Sequence, residues 1–325
     1  MKKRYWIAGA AGAAVAAKLL LRPADVDWQK NREKVFHADH SRFCEVDRLR
    51  VHYQEAGNKD SPTILLIHGF CSSTLVWSKV FLELAEEGFH VVAPDLLGYG
   101  YSAKPRNFDY TIRAQARMIA GFMERIGEDR ATLVGSSYGG AVAATVALDY
   151  PELVEKLVLV GTVSDNAPTR YLLMRLFASP ILGDLLSPLL VGSRRLLRRR
   201  MKRVFDRHSW RLDERRLDAR HLPLRTRGTH RALVRTVRHW DADRIQREAT
   251  QISQPTLILW GQDDLDVPVS SGERLQASIG GSQLVTFPDC GHLPQEEFPR
   301  EFVALVSSFS RTAAVVDEDR VIATA

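Results

Sequence analysis

Cysteine is scarce in this chain: Cys44, Cys71 and Cys290 are the only three in 325 residues. So few, so widely spaced, exclude a disulfide-stapled scaffold, and no pair has the short spacing of a structural zinc site. There is no excess of glycine or proline either, with 21 and 14 residues, which excludes collagen-like and low-complexity chains. No internal repeat and no low-complexity linker divides the sequence. What remains is a globular balance of 45% hydrophobic and 26% charged residues, and one α/β core with a single insertion accounts for the whole length.

Acidic residues are also locally scarce. Residues 193–238 hold 17 Lys and Arg against 4 acids, an excess of 13 in a chain whose net charge is only +6. Such a block attracts either nucleic acid or an anionic membrane surface. The N-terminus favours the membrane. Met1-Lys2-Lys3-Arg4 precedes an uncharged, Ala- and Gly-rich run to Ala17, then Lys18 and Leu19-Leu20-Leu21. As a helix, residues 5–21 span roughly 25 Å, slightly short of a bilayer core, with Lys18 snorkelling to the interface. Residues 1–22 are therefore expected to be an uncleaved anchor. A cleaved secretory signal is the alternative, since the small residues around Ala14-Val15-Ala16 fit a cleavage site. Basic residues at both ends leave the orientation open.

Downstream, residues 43–54 alternate apolar and polar positions and predict a hairpin at a sheet edge. Short continuous apolar runs follow at residues 63–67, 90–94, 131–134, 157–160 and 256–260. They predict buried parallel strands. Helical spacing occupies 75–87, 111–126, 139–150 and 270–279, so strand and helix alternate as in a parallel sheet covered on both faces. Between about 164 and 250 the alternation stops, and apolar and basic residues mix at helical spacing. That segment reads as a helical insertion.

The chemistry concentrates in a few turns. Gly135-Ser136-Ser137-Tyr138-Gly139 is a G-x-S-x-G sequence lying directly after a strand run and before a helix, the context that makes the motif meaningful. A serine hydroxyl needs a base to take its proton and a third group to hold that base. Trp260-Gly261-Gln262-Asp263-Asp264 ends a strand run in a turn bearing carboxylates, and Cys290-Gly291-His292-Leu293-Pro294 sets a histidine in a later loop. His68-Gly69-Phe70 follows the first core strand, and Asp95 to Ser102 form a D-x-x-G-x-G-x-S turn.

Together these motifs resemble the α/β-hydrolase fold superfamily over residues 43–309, and within it capped serine esterases and lipases such as monoacylglycerol lipase-like hydrolases. The resemblance implies an α/β-hydrolase fold with a mostly parallel sheet, helices on both faces and a helical cap. It implies Ser137 as nucleophile, Asp264 as orienting acid and His292 as base, with the backbone N–H groups of Phe70 and Tyr138 as oxyanion donors and no cofactor or metal. Some relatives place the acid after the preceding strand, at the position of Asp165. Asp95 is expected to be structural, Asp266 to stabilise its turn, and Cys71 and Trp77 to pack.

The expected organisation is an anchor or signal at 1–22, a linker at 23–42, a core at 43–163 and 249–311, a basic cap at 164–248 and a mobile tail at 312–325. The cap is apolar at Leu172, Leu176 and Phe177 and basic from Arg194 to Arg203, which suits a lid facing lipid with cations toward anionic headgroups. The expected substrate is a small-molecule or lipid ester, at an anionic membrane surface and without nucleic acid. The expected enzyme is a carboxylic ester hydrolase at the membrane, or secreted or periplasmic if the signal is cleaved. Two further readings stay open: a carbon–carbon bond hydrolase of ring-fission diketones, and a non-enzymatic binding module.

Overall fold

A computed structural model of the chain describes residues 28–166, 172–179, 182–205 and 213–311. The expected anchor at 1–22 and tail at 312–325 lie outside them. Among the described residues, no helix is long and apolar enough to cross a membrane.

Eight strands form one sheet: β1 (Ser41–Val46), β2 (Leu49–Ala56), β3 (Thr63–Ile67), β4 (His90–Pro94), β5 (Ala131–Ser136), β6 (Val154–Val160), β7 (Thr256–Gly261) and β8 (Gln283–Phe287). Their order is β1-β2-β4-β3-β5-β6-β7-β8. The β1–β2 and β2–β4 pairs are antiparallel and all others parallel. Every residue of β3, β4, β5 and β7 is buried, which is why these strands read as unbroken apolar runs and not as alternation.

Helices cover both faces of the sheet and its edge: α1 (Trp28–Asn31), α2 (Phe81–Glu86), α3 (Ile112–Ile126), α4 (Tyr138–Asp149) and, after the insertion, α11 (Ser270–Ser278), α12 (Pro294–Glu297) and α13 (Pro299–Arg311). The insertion contributes α5 (Leu172–Ala178), α6 (Leu182–Gly192), α7 (Arg194–Val204), α8 (Glu214–Leu224), α9 (Thr229–Arg238) and α10 (Asp243–Glu248). Local signals set the ends of α3: the Thr111 hydroxyl accepts from Ala114 N–H at 3.0 Å, and Gly127 closes the helix at φ +81°. In α4, residues 138–147 are all buried, so small residues recur without an amphipathic period.

Two expectations change. The single helix predicted over 75–87 is split into a 3-10 turn, Thr74–Trp77, and α2. The Asp95 carboxylate fixes the start by accepting from Thr74 N–H, while the Ser78 carbonyl accepts from His37 Nε2 at 2.7 Å instead of extending a helix. Nor is the described part of the 23–42 linker a free connection. Trp28 packs on Phe43, His52 and Tyr101 with ring centroids 4.9–5.5 Å apart, so aromatic burial fastens it to the sheet edge.

The insertion is clasped where it leaves and rejoins the core. Asn166 donates both backbone and side-chain N–H groups to Asp243, at 2.8 and 2.7 Å, and accepts from Ala242 N–H at 2.9 Å. Much of the basic block is spent internally. Arg194 and Arg198 pair with Glu214 and Asp218, Arg216 and Arg220 with Glu296, and Arg235 donates to the Arg106 carbonyl.

Candidate active site

β5 ends at Ser136 and α4 begins at Tyr138, leaving Ser137 alone to turn the chain, at φ +56° and ψ −117°. A non-glycine residue there is strained, and the surroundings must hold it. Ser137 N–H donates to the Val160 carbonyl at 2.7 Å, and the Ser137 carbonyl accepts from Gly140 N–H at 3.0 Å. The flanking glycines permit the tightness of the turn. A methyl group on Gly135 would lie 2.6 Å from Gly140 Cα, and one on Gly139 would strike the Ile67 carbonyl oxygen. Of residues 131–140, Ser137 is the one that is not buried.

The turn after β7 supplies Asp264 and the loop after β8 supplies His292. Their side chains meet at 2.6 Å between His292 Nδ1 and Asp264 Oδ2, both residues buried. The other carboxylate oxygen, Oδ1, accepts from the backbone N–H of Asp266 and of Val267 at 2.8 and 2.9 Å. Asp264 thus stabilises its own turn, the role expected of Asp266. Asp266 instead faces the cap, 3.9 Å from Arg203.

This pair lies against Gly161, the residue after the Val160 whose carbonyl accepts from Ser137 N–H. A methyl group on Gly161, next to Val160, would sit 3.2 Å from His292 Nδ1 and 3.4 Å from Asp264 Oδ2. Gln295 Nε2, three residues past His292, donates to Ser136 Oγ at 3.1 Å and ties the histidine loop to the serine turn. Asp165 is elsewhere: its carboxylate meets Arg274 on the surface at 3.3 Å.

Burial opposes an imidazolium at His292, but the charge of Asp264 and its hydrogen bond outweigh it and hold His292 above the ordinary imidazole range. The loop is braced from below. Burial pushes the Glu297 carboxyl up to about 7, and its oxygens accept from Gly291 and Leu293 N–H, on either side of His292. From above, the last carbonyl of α7, that of Val204, accepts the His292 N–H at 3.0 Å.

Gly69 packs against the serine turn: a methyl group there would sit 3.1 Å from Ser137 Cβ. Among the described residues, the N–H groups of Phe70 and Tyr138 donate to no protein acceptor. Tyr138 opens a helix of 12 residues, where uncommitted N–H groups favour negative charge. Phe70, Tyr138 and Trp240 pack with ring centroids 5.3–6.5 Å apart, which gives this edge of the site an aromatic wall. Burial pushes the Cys71 thiol up to about 11 despite the nearby Arg200 guanidinium, so sulfur stays protonated. Arg200 also acts on His292 through its charge.

Asp95 lies below the site. Burial works against its charge, yet His52, at 2.7 Å, His68 and the Tyr101 N–H hold its pKa down to about 2. It organises the 95–102 turn and does not reach Ser137. Trp77 is fully buried, its ring 6.3 Å from Phe302.

The sequence reading did not single out Gln295, Glu297, Trp240 or Arg200. Gln295 and Glu297 follow directly on the quoted Cys290–Pro294 stretch, so proximity was an available signal. Arg200 is one of seven cations between residues 194 and 203. The buried spacing Leu197, Met201, Val204 marks the inner face of α7, but only once the helix is known to lie over the site.

Comparisons with known proteins place the chain in a family. The chain is 30% identical to the uncharacterized hydrolase YugF of Bacillus subtilis (strain 168), over 81% of this chain and 95% of that protein. It is 31% identical to a 2-hydroxy-6-oxononadienedioate/2-hydroxy-6-oxononatrienedioate hydrolase of Klebsiella pneumoniae, over 83% of this chain and 95% of that one. A crystal structure of a bacterial membrane phospholipase A, described as a virulence factor, superposes with a TM-score of 0.71 at 29% identity, over 95% of this chain and 98% of that one. The family model for the alpha/beta hydrolase fold matches residues 62–299, and the chain belongs to that family as a hydrolase.

Proposed function

We propose that this hydrolase cleaves carboxylic esters of lipid-like, monoacylglycerol type through an acyl-enzyme. The observation that carries this reading is Ser137, half-buried and held at positive φ, whose N–H is bound by Val160, with the buried His292–Asp264 pair against the next residue, Gly161. His292 Nε2 takes the Ser137 hydroxyl proton as Oγ attacks the acyl carbonyl, and Asp264 keeps the Nδ1 proton facing itself. The oxyanion is stabilised by the N–H groups of Phe70 and Tyr138. Collapse releases the alcohol, which takes the proton from His292. Water, deprotonated by the same imidazole, then frees the acid and restores Ser137.

The lipid character is supported by the cap. Leu172, Leu182 and Leu196 are exposed large apolar side chains, and Arg195, Arg199 and Lys202 are exposed on α7. Apolar and cationic groups so combined suit an interface with anionic lipid, and the segment 1–22 would hold the enzyme at that surface. The superposable phospholipase A, an esterase of lipids by its name, points the same way.

Carbon–carbon bond hydrolysis of a ring-fission diketone is the second reading, favoured by the Klebsiella relative and by Arg200, a cation suited to a substrate carboxylate beside His292. The test compares p-nitrophenyl esters, monoacylglycerols and a ring-fission diketone with wild type and Ser137→Ala. Ester turnover that exceeds diketone turnover and vanishes in Ser137→Ala is expected. Greater turnover of the diketone would replace the ester reading, and turnover undiminished in Ser137→Ala would remove the serine mechanism.

A further inference from the structure

The helix α12 is one turn long, yet all four of its residues are buried, three of them polar. Those three side chains leave in different directions. Gln295 donates to Ser136 Oγ in the serine turn, Glu296 receives Arg216 and Arg220 of the cap, and Glu297 folds back onto the histidine loop. The first two join separate parts of the chain, whereas Glu297 spends both oxygens on backbone next to the base.

Three successive N–H groups are held there. Gly291 N–H donates to Glu297 Oε2 at 3.1 Å, His292 N–H to the Val204 carbonyl at 3.0 Å, and Leu293 N–H to Glu297 Oε1 at 3.3 Å. Glu297 thereby fixes the backbone on both sides of His292, and Asp264 fixes the ring through Nδ1. There is little slack in the loop: a methyl group on Gly291 would lie 3.3 Å from Glu297 Oε1, and one on Gly261 would strike the Gly291 carbonyl oxygen. Both partners are donors, so only a side chain with two acceptor oxygens satisfies both; a glutamine offers one. Burial raises the Glu297 carboxyl to about 7, so its charge is kept at a cost that a purely space-filling residue would avoid.

We propose that Glu297 is a positioning residue for the hydrolytic reaction: its ionised carboxylate holds the His292 backbone so that Nε2 meets the Ser137 hydroxyl, and a proton on it releases one of the two N–H bonds. The inference rests on the serine–histidine reading above. The titratable groups that face Glu297 are the Cys290 thiol, the Glu296 carboxylate and the Lys79 ammonium. The thiol and the ammonium favour the ionised form, and the opposing charge of Glu296 is itself met by Arg216 and Arg220.

The experiment measures kcat and KM on a medium-chain p-nitrophenyl ester across the acid limb, together with the rate of fluorophosphonate labelling, using the full chain. Wild type is compared with Glu297→Gln and with Glu301→Gln, which alters an exposed carboxylate of α13. A displacement of about 1 Å in a reacting group costs about 10²-fold. Glu297→Gln keeps one N–H bond, so its kcat and labelling rate are expected to fall about 10- to 100-fold. Its KM should stay near wild type, because Glu297 does not touch substrate, and Glu301→Gln should match wild type throughout. The acid limb of wild-type kcat/KM should be steeper than one ionisation allows, since His292 and Glu297 must both lose a proton, and Glu297→Gln should follow a single ionisation. Should Glu297→Gln fail to fold, the wild-type limb decides alone. The proposal is overturned by a wild-type limb of one ionisation, by a Glu297→Gln enzyme that turns over and labels as wild type does, by a loss confined to KM, or by an equal loss in Glu301→Gln. Labelling that persists in Ser137→Ala would remove the serine reading and this proposal with it, whereas labelling lost in Ser137→Ala and unchanged in Glu297→Gln removes this proposal alone.

Discussion

Replacing Asp264 by Asn tests the site most directly, because the substitution changes charge and proton direction with little change of shape. The asparagine carbonyl can still accept from Asp266 and Val267 N–H, the bonds now made by Oδ1 at 2.8 and 2.9 Å. The turn should survive with a stability loss of about 1–2 kcal/mol. Its amide then points an N–H at His292 Nδ1, 2.6 Å away in the native pair. That forces Nδ1 to accept and places the ring proton on Nε2, where the base must be free. Loss of the correct tautomer costs about 10³–10⁴-fold in kcat, or about 4–5.5 kcal/mol of transition-state stabilisation. The assay is kcat and KM on a medium-chain p-nitrophenyl ester, with thermal unfolding to report the fold. Fluorophosphonate labelling of Ser137 follows the nucleophile whichever substrate is natural. Asp165→Asn, whose carboxylate meets Arg274, should leave all three near wild type. An Asp264→Asn enzyme within tenfold of wild type in both turnover and labelling would refute the assignment.

Three other outcomes follow from the structure. His292 is held above the ordinary imidazole range by Asp264 and must be neutral to act as base, so the acid limb of kcat/KM is expected above about pH 6.5; a limb below that value contradicts the ion pair. Asp95, held at about 2 against an ordinary 3.8, lends stability that is complete above about pH 4 and drains away toward pH 2. The loss is on the order of 2 kcal/mol, and urea unfolding of wild type against Asp95→Asn should show the difference shrinking across that window. Glu296→Gln leaves the buried Arg220 and its neighbour Arg216 without their carboxylate and should destabilise the protein by about 3 kcal/mol, measurable by chemical denaturation; an unchanged midpoint would show that the cap is held otherwise.

Short-range order was legible in the sequence. Five apolar runs mark β3 to β7, because strands buried on both faces have no polar side to show. The Thr111 cap, the Gly127 stop and the glycines around Ser137 are also local, written where the backbone must turn or approach closely. The 75–87 segment misled for the opposite reason: its apolar spacing is helical, but the groups that divide it, Asp95 and His37, come from remote positions. Aromatic packing likewise fastened Trp28, within the expected linker at 23–42, to the sheet edge.

By itself, then, the sequence determined the alternation of elements, the serine turn and the candidate carboxylates and histidine, all of which depend on neighbours along the chain. Tertiary structure alone decided that Asp264 and not Asp165 faces His292, and that Arg200 is the cation of α7 near Cys71. Those pairings join residues from 28 to more than 120 positions apart. At such separations no local period records which groups meet, and sheet order and helix docking settle it.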